Sequence, residues 1–178
     1  SPYVIVANHE SATDILALYT LDINFRWLAK KEIFHLPILG TVMRWAAYVP
    51  IKRGSQASHR EALSRCKDLL CLGAPVVFFP EGTRSTTGQP KEFKLGAFKL
   101  ASELDLPVLP VVLLGAGKLM KKRTLCPNKA TISMKILEPM KQEAVESVVD
   151  FTKRVENKIR QEHAGLKKEV AWKADSTC

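Results

Sequence analysis

Near its start the chain carries the segment NHESATD, in which His9 stands five residues before Asp14. An imidazole titrates near neutral pH and takes a proton from an alcohol when a partner fixes its tautomer and stabilises its charged form. A carboxylate is such a partner, and a strand end followed by a first helical turn folds Asp14 back to the ring. The same letters also read without chemistry. Ser11 and Asp14 have capping-box spacing, which leaves His9 as an exposed loop residue.

Some seventy residues later comes FPEGTRS, Phe79 to Ser85. Phe78 and Phe79 anchor this loop, and Gly82 permits a tight turn that bares backbone N–H groups. Arg84 offers the planar fork suited to bidentate contact with phosphate, and Glu81 restrains the loop or the arginine. Lys52, Arg53, Lys91, Lys94 and Lys99 crowd the same part of the sequence. An ordinary polar turn with a surface ion pair is the competing account.

Other chemistries find little support. GxSxG is absent and no cysteine has a histidine beside it, so no nucleophile for an acyl-enzyme is evident. Cys66, Cys71, Cys126 and Cys178 form no CxxC pair, and with four histidines in the chain no metal cage is indicated. Reduced, structural cysteines are the expectation. A base together with a phosphate clamp points to direct attack by a bound, phosphate-bearing alcohol.

These residues need elements to hold them. Tyr3–Ala7, FRWLA from Phe25, YVPIKRG from Tyr48, APVVFFP from Ala74 and PVLPVVLLG from Pro107 are short apolar runs that predict strands, mostly buried. ATISMKIL alternates like a half-buried strand. Helices are predicted after Ser11 with Ile15, Leu16, Leu18 and Tyr19 on the apolar face, and over 33–46, 58–72, 93–104 and 142–161. Gly73 is placed to end the third of these. In the last, Val145, Val148, Val149, Val155 and Ile159 are expected inside, with a frayed tail after Gly165. The alternation of strands and helices, without linker or repeat, predicts one α/β domain with a mixed, mostly parallel sheet flanked by helices. Ligands of such sheets gather at the carboxyl ends of strands, here the loops after Ala7, Ile51 and Phe79.

Composition sets the outer bounds. The 178 residues are 46% hydrophobic and 25% charged, which excludes disorder. The net charge of +9 resides almost entirely in residues 51–140, so an anionic partner is expected there. Aromatic residues make up 7% and are not interleaved with bases, so nucleic acid is not the expected partner. No apolar run reaches the roughly 20 residues of a membrane span.

The two motifs, in this order and each after an apolar strand, resemble the paired motifs of the glycerolipid acyltransferases, among them the lysophosphatidic acid acyltransferases. VPIKRG, residues 49–54, resembles the family's block ending in a basic residue, with Arg53 at the matching position. LPVLPVV, 106–112, resembles its proline-containing strand block. The likeness covers roughly residues 3–140. It implies His9 as general base and Asp14 as the residue orienting it. Arg53 and Arg84 would hold the acceptor phosphate and Glu81 and Gly82 would shape the pocket, with Thr83 and Lys94 also substrate-binding. It further implies acyl-CoA or acyl-carrier protein as acyl donor, a lysophospholipid as acceptor, no cofactor and no metal.

On this reading residues 1–165 are the catalytic domain, cut at its N-terminus, and 166–178 a polar tail. Membrane association is expected through an upstream segment, helped by the basic run Lys118–Arg123. Lysophosphatidate is the expected acceptor, glycerol 3-phosphate or another lysophospholipid the alternatives, and a non-catalytic module binding anionic lipid the competing class. The second block departs from the family form. It has Lys52 where an acid is usual, Ala47 where a glycine stands and Pro50 where an aromatic is common, which bears on acceptor choice.

Overall fold

Four successive apolar residues leave no face for water, and Val4–Ala7 forms strand β1, buried on both sides. The computed structural model describes residues 2–119 and 128–175, the last three of these by backbone alone. In it β1 is an inner strand of a six-stranded sheet of order β3-β2-β4-β1-β5-β6. The other strands are β2 (Arg26–Lys30), β3 (Val49–Ile51), β4 (Val76–Phe78), β5 (Val108–Leu114) and β6 (Ser133–Ile136). Val4 pairs in register with Val76 on one side and Val108 on the other, both parallel, and β6 runs antiparallel to β5. The expected mixed, mostly parallel sheet is the one found.

Alternate residues of β1 enter different cores. Val4 and Val6 join Val76, Phe78, Val108 and Val112 beneath three helices, α3 (Gln56–Cys71), α4 (Gly96–Glu103) and α6 (Val148–Asp175). Ile5 and Ala7 join Val77, Leu109, Val111 and Leu113 beneath Ile15 and Leu18 of α1 (Asp14–Leu18). Phe98 of α4 meets Phe151 of α6 edge to face, centroids 5.8 Å apart. Burial pushes the Cys66 thiol up to about 12, consistent with a structural cysteine, and Cys66 and Cys71 are both free. Cys126, Cys178 and most of the basic run, Met120–Arg123, lie outside the described residues.

Several predicted boundaries move for identifiable reasons. The segment 33–46 is two pieces, a 3₁₀ turn over Lys31–His35 and α2 (Leu39–Trp45). Pro37 holds Leu36 extended and divides them. Helix α3 starts two residues early because the Ser55 side chain caps it, accepting from the Ser58 amide at 3.2 Å, and Gly73 closes it at φ 84°. Helix α4 begins only at Gly96, because the Phe93 amide donates to Glu156 and the Lys94 amide to the Pro80 carbonyl.

The last helix starts at Val148, with Ser147 Oγ accepting from the Asp150 amide, so Val145 lies outside it and is 99% exposed; Val149 is also exposed. No frayed tail begins at 166. The helix continues through Gly165 to Asp175 because Phe151, Val155, Ile159, His163 and Leu166 form one buried stripe. On α1, Ile15 and Leu18 are buried, but Leu16 and Tyr19 are exposed. A short α5 (Ala116–Leu119) follows β5.

Candidate active site

The parallel sheet brings the loops after β1 and β4 to the same edge, and there the two motifs interlock. His9 leaves β1 two residues past its end, and Asp14 opens α1. His9 Nδ1 lies 2.7 Å from Asp14 Oδ2. That same oxygen accepts from the amides of Glu10 at 2.7 Å and Ser11 at 2.9 Å. Asp14 therefore serves both readings of its spacing: it satisfies backbone donors at the helix start and holds the imidazole. Its side chain is fully buried, and the His9 side chain is 13% exposed. The second ring nitrogen of His9 makes no hydrogen bond among the described residues, which leaves it open to an incoming group.

FPEGTRS grips His9 by its backbone. The His9 amide donates to Glu81 Oε1 at 2.9 Å, and the Ser85 amide donates to the His9 carbonyl at 2.7 Å. The imidazole stacks on Phe79, centroids 4.2 Å apart and planes 22° from parallel. Burial pushes the Glu81 carboxyl above the usual range, although the His9 and Lys91 amides pull the other way. Gly82 has φ 71°, the left-handed conformation that favours glycine, and the Lys94 side chain packs over it, with Nζ 2.8 Å from where a Cβ would stand.

The bases divide into those already engaged and those left free. Lys91 Nζ donates to Thr83 Oγ1 at 3.0 Å and to the Arg84 carbonyl at 2.8 Å, fixing the loop. The half-buried Arg84 guanidinium has no hydrogen bond or ion pair among the described residues. Arg53 is not in this cluster. It follows β3, three strand positions from β1, about 14 Å at the usual ~4.8 Å strand spacing. It lies exposed beyond the same carboxyl edge, so a ligand and not a direct contact would have to link it to His9.

Residues to which the sequence assigned no role complete the site. Asn8 forms a two-pronged pair with Leu113, donating to its carbonyl and accepting from its amide, both at 2.8 Å. Glu10 Oε2 accepts from the amides of Gly115 at 3.0 Å and Gly117 at 3.1 Å, and Glu10 Oε1 lies 3.4 Å from Nε2 of the buried His163. An asparagine and a glutamate flanking a candidate base were the available hints. Among the described residues no group of three or more His, Cys, Asp or Glu is arranged to hold a metal ion. A cavity of about 250 Å³ lined by Asp105, Leu106 and Lys141 lies before β5, at the opposite edge of the sheet.

The arrangement is an oriented, partly exposed base beside a turn with an unpaired arginine. Comparison with known proteins gives it a context. The family described as Acyltransferase matches residues 1–114. A 1-acyl-sn-glycerol-3-phosphate acyltransferase of Chlamydomonas reinhardtii is 43% identical over 144 residues, covering 79% of this chain and 43% of that protein. A chloroplastic one of Arabidopsis thaliana is 44% identical over 120 residues, 67% of this chain and 34% of that protein. The crystal structure of the 1-acyl-sn-glycerophosphate acyltransferase PlsC from Thermotoga maritima matches with a TM-score of 0.80 at 29% identity, covering 93% of this chain and 66% of that one. The chain thus spans less than half the length of these curated relatives.

Proposed function

The chain belongs to the Acyltransferase family, and on that premise we propose that it transfers a fatty acyl group from acyl-CoA or acyl-carrier protein to the sn-2 hydroxyl of lysophosphatidate, giving phosphatidate. The observation that carries this is the 2.7 Å contact of His9 Nδ1 with Asp14, on a loop held at both ends of His9 by the second motif. Asp14 holds Nδ1, so Nε2 is the nitrogen that takes the hydroxyl proton. The oxygen attacks the thioester carbonyl, the C–S bond breaks, and the departing thiolate receives the proton from His9. Mutual orientation of the two substrates supplies much of the rate.

Arg84, with its unpaired guanidinium, supports the acceptor phosphate, and Arg53 reaches the same phosphate or that of the donor from across the edge. Gly82, Thr83 and Glu81 shape the turn, and Lys94 adds positive charge over it. The step draws on these side chains and the two substrates, with no metal or prosthetic group. The acceptor and the product of this reaction are both lipids, which supports catalysis at a membrane surface. No helix among the described residues is long and apolar enough to cross one.

The test is thiol release from oleoyl-CoA with lysophosphatidate present. His9→Ala should abolish it, and equal release by both proteins would remove the assignment. Arg84→Ala should raise KM for lysophosphatidate more than for the acyl donor. A selective loss on the donor side would transfer Arg84 to the CoA site. Lys52, beside Arg53, adds charge suited to a doubly anionic phosphate monoester, a class that contains lysophosphatidate and glycerol 3-phosphate alike, so both belong in the acceptor panel.

A further inference from the structure

The segment HLPILGTVMRW, residues 35–45, has more apolar side chains than its small core receives. Phe34 and Met43 are buried with Ala29 of β2, and Gly40 presses so closely on the 3₁₀ turn that a Cβ there would fall 2.1 Å from the Phe34 carbonyl oxygen. That accounts for the inner side of α2. Leu39, Val42 and Trp45 recur every three residues on the other side and are exposed, as are Leu36 and Ile38 just before. Ile38 is 82% exposed and Trp45 85%. Other exposed large apolar residues are scattered over the molecule, whereas these five lie within ten positions, which makes a patch.

The turn that presents Ile38 is strained. Ile38 has φ 61° and ψ −65°, and the Leu39 amide donates to the Pro37 carbonyl at 2.6 Å, the geometry of a γ-turn. A β-branched residue at positive φ is an outlier, and here its side chain gains no burial in return. Glycine would make the same turn without strain. The isoleucine therefore contributes nothing to this fold that explains it.

We propose that the outward face of α2, with the turn before it, docks the protein on an anionic lipid surface. Charge selects this occupant. From residue 26 to residue 53 there are six Lys and Arg and one acid, Glu32, which lies 3.6 Å from Lys30. Lys31, Lys52 and Arg53 are exposed and form no salt bridge among the described residues, while Arg44 is tied to the Phe34 carbonyl at 2.6 Å and braces the turn. An apolar face with an indole, edged by lysine and arginine, is the composition that settles at the headgroup boundary of acidic bilayers. The 3₁₀ turn leaves the carboxyl end of β2, and Arg53 follows that of β3, so the face adjoins the sheet edge that holds His9. Its use in delivering a lipid acceptor rests on the function proposed above; the binding itself does not.

Co-sedimentation with vesicles tests it. The chain should bind vesicles of phosphatidylcholine and phosphatidate, less so pure phosphatidylcholine, and binding should weaken with salt. Ile38→Ser combined with Trp45→Ser should reduce binding at least about tenfold. Trp45→Phe should retain binding but lose the blue shift of tryptophan emission that vesicles induce. Turnover of a water-soluble short-chain lysophosphatidate should stay the same in the double variant, so loss of docking and loss of the acyltransferase reading are told apart. Unchanged vesicle binding by the double variant overturns the proposal. So does a wild-type dimer in sedimentation velocity that the double substitution converts to monomer, because the face then serves self-association.

Discussion

Glu10 and His163, 153 positions apart, meet in the interior with Glu10 Oε1 3.4 Å from His163 Nε2, and so tie the residue after His9 to the last helix. The other oxygen of Glu10 holds the amides of Gly115 and Gly117. Burial pushes the Glu10 carboxyl up, but the bonds from His163, Gly117 and Gly115 outweigh it and leave it below the usual range. Glu10→Gln and His163→Leu should each lower kcat roughly tenfold with little change in either KM, since small misplacements of a reacting group are costly. The double variant should be no slower than the worse single one. Strictly additive losses would separate Glu10 from His163.

The same pair has a stability signature. The folded pKa of Glu10 lies below its unfolded value near 4.5, so its contribution is present above that value and is lost as pH falls through the folded one. Wild type should therefore lose more Tm than Glu10→Gln when acidified below that point. Parallel melting curves would contradict this.

Asp14→Asn keeps an oxygen for the amides of Glu10 and Ser11 but opposes the tautomer that His9 needs. A fall in kcat of about 10³–10⁴ is expected, with the fold retained by circular dichroism. A loss smaller than about tenfold would remove the pair from the reaction.

Glu81 has the opposite sign. Burial raises its folded value, so its contribution to stability is full below the unfolded value near 4.5 and is lost as pH rises through the folded one. Glu81→Gln, which still accepts from the His9 amide, should match wild type at pH 4 and melt no lower at pH 7. A Tm deficit that appears only at pH 7 would reverse that assignment.

Ala47, which stands where the related block carries glycine, has φ 55° and is exposed. Ala47→Gly relieves the left-handed strain at the expense of a freer unfolded chain, for a net gain of up to about 1 kcal/mol. Denaturant titration measures it, and a loss of stability would show that the alanine methyl is needed.

His9, Asp14 and the FPEGTRS loop were legible because their spacing is local and each follows an apolar strand. The parallel sheet was legible for the same reason, since VIVA, VVF and VLPVVLL have no polar face. Asn8, Glu10, Ser85 and His163 were not legible, because their roles lie in amides, carbonyls and one ring nitrogen far away in sequence. Gly165 misled in a different way. A glycine after a periodic run reads as a stop, yet Leu166 continues the buried stripe and tertiary packing carries the helix past it. The late start of α4 is similar, set by the partners that Phe93 and Lys94 find outside their own segment.

The place of β1 in the sheet also bears on the order in which the protein is made. It is synthesised before both of its neighbours, β4 and β5, and a ribosome must add about a hundred residues before the second of them exists. During that interval Val4–Ala7 is an unpaired apolar strand that chaperones or other nascent chains would recognise. The site at its end cannot assemble until Leu113, and then His163, have been translated. The contacts that brace the His9 loop are therefore completed only after β5 and the middle of α6 have been added, by topology alone.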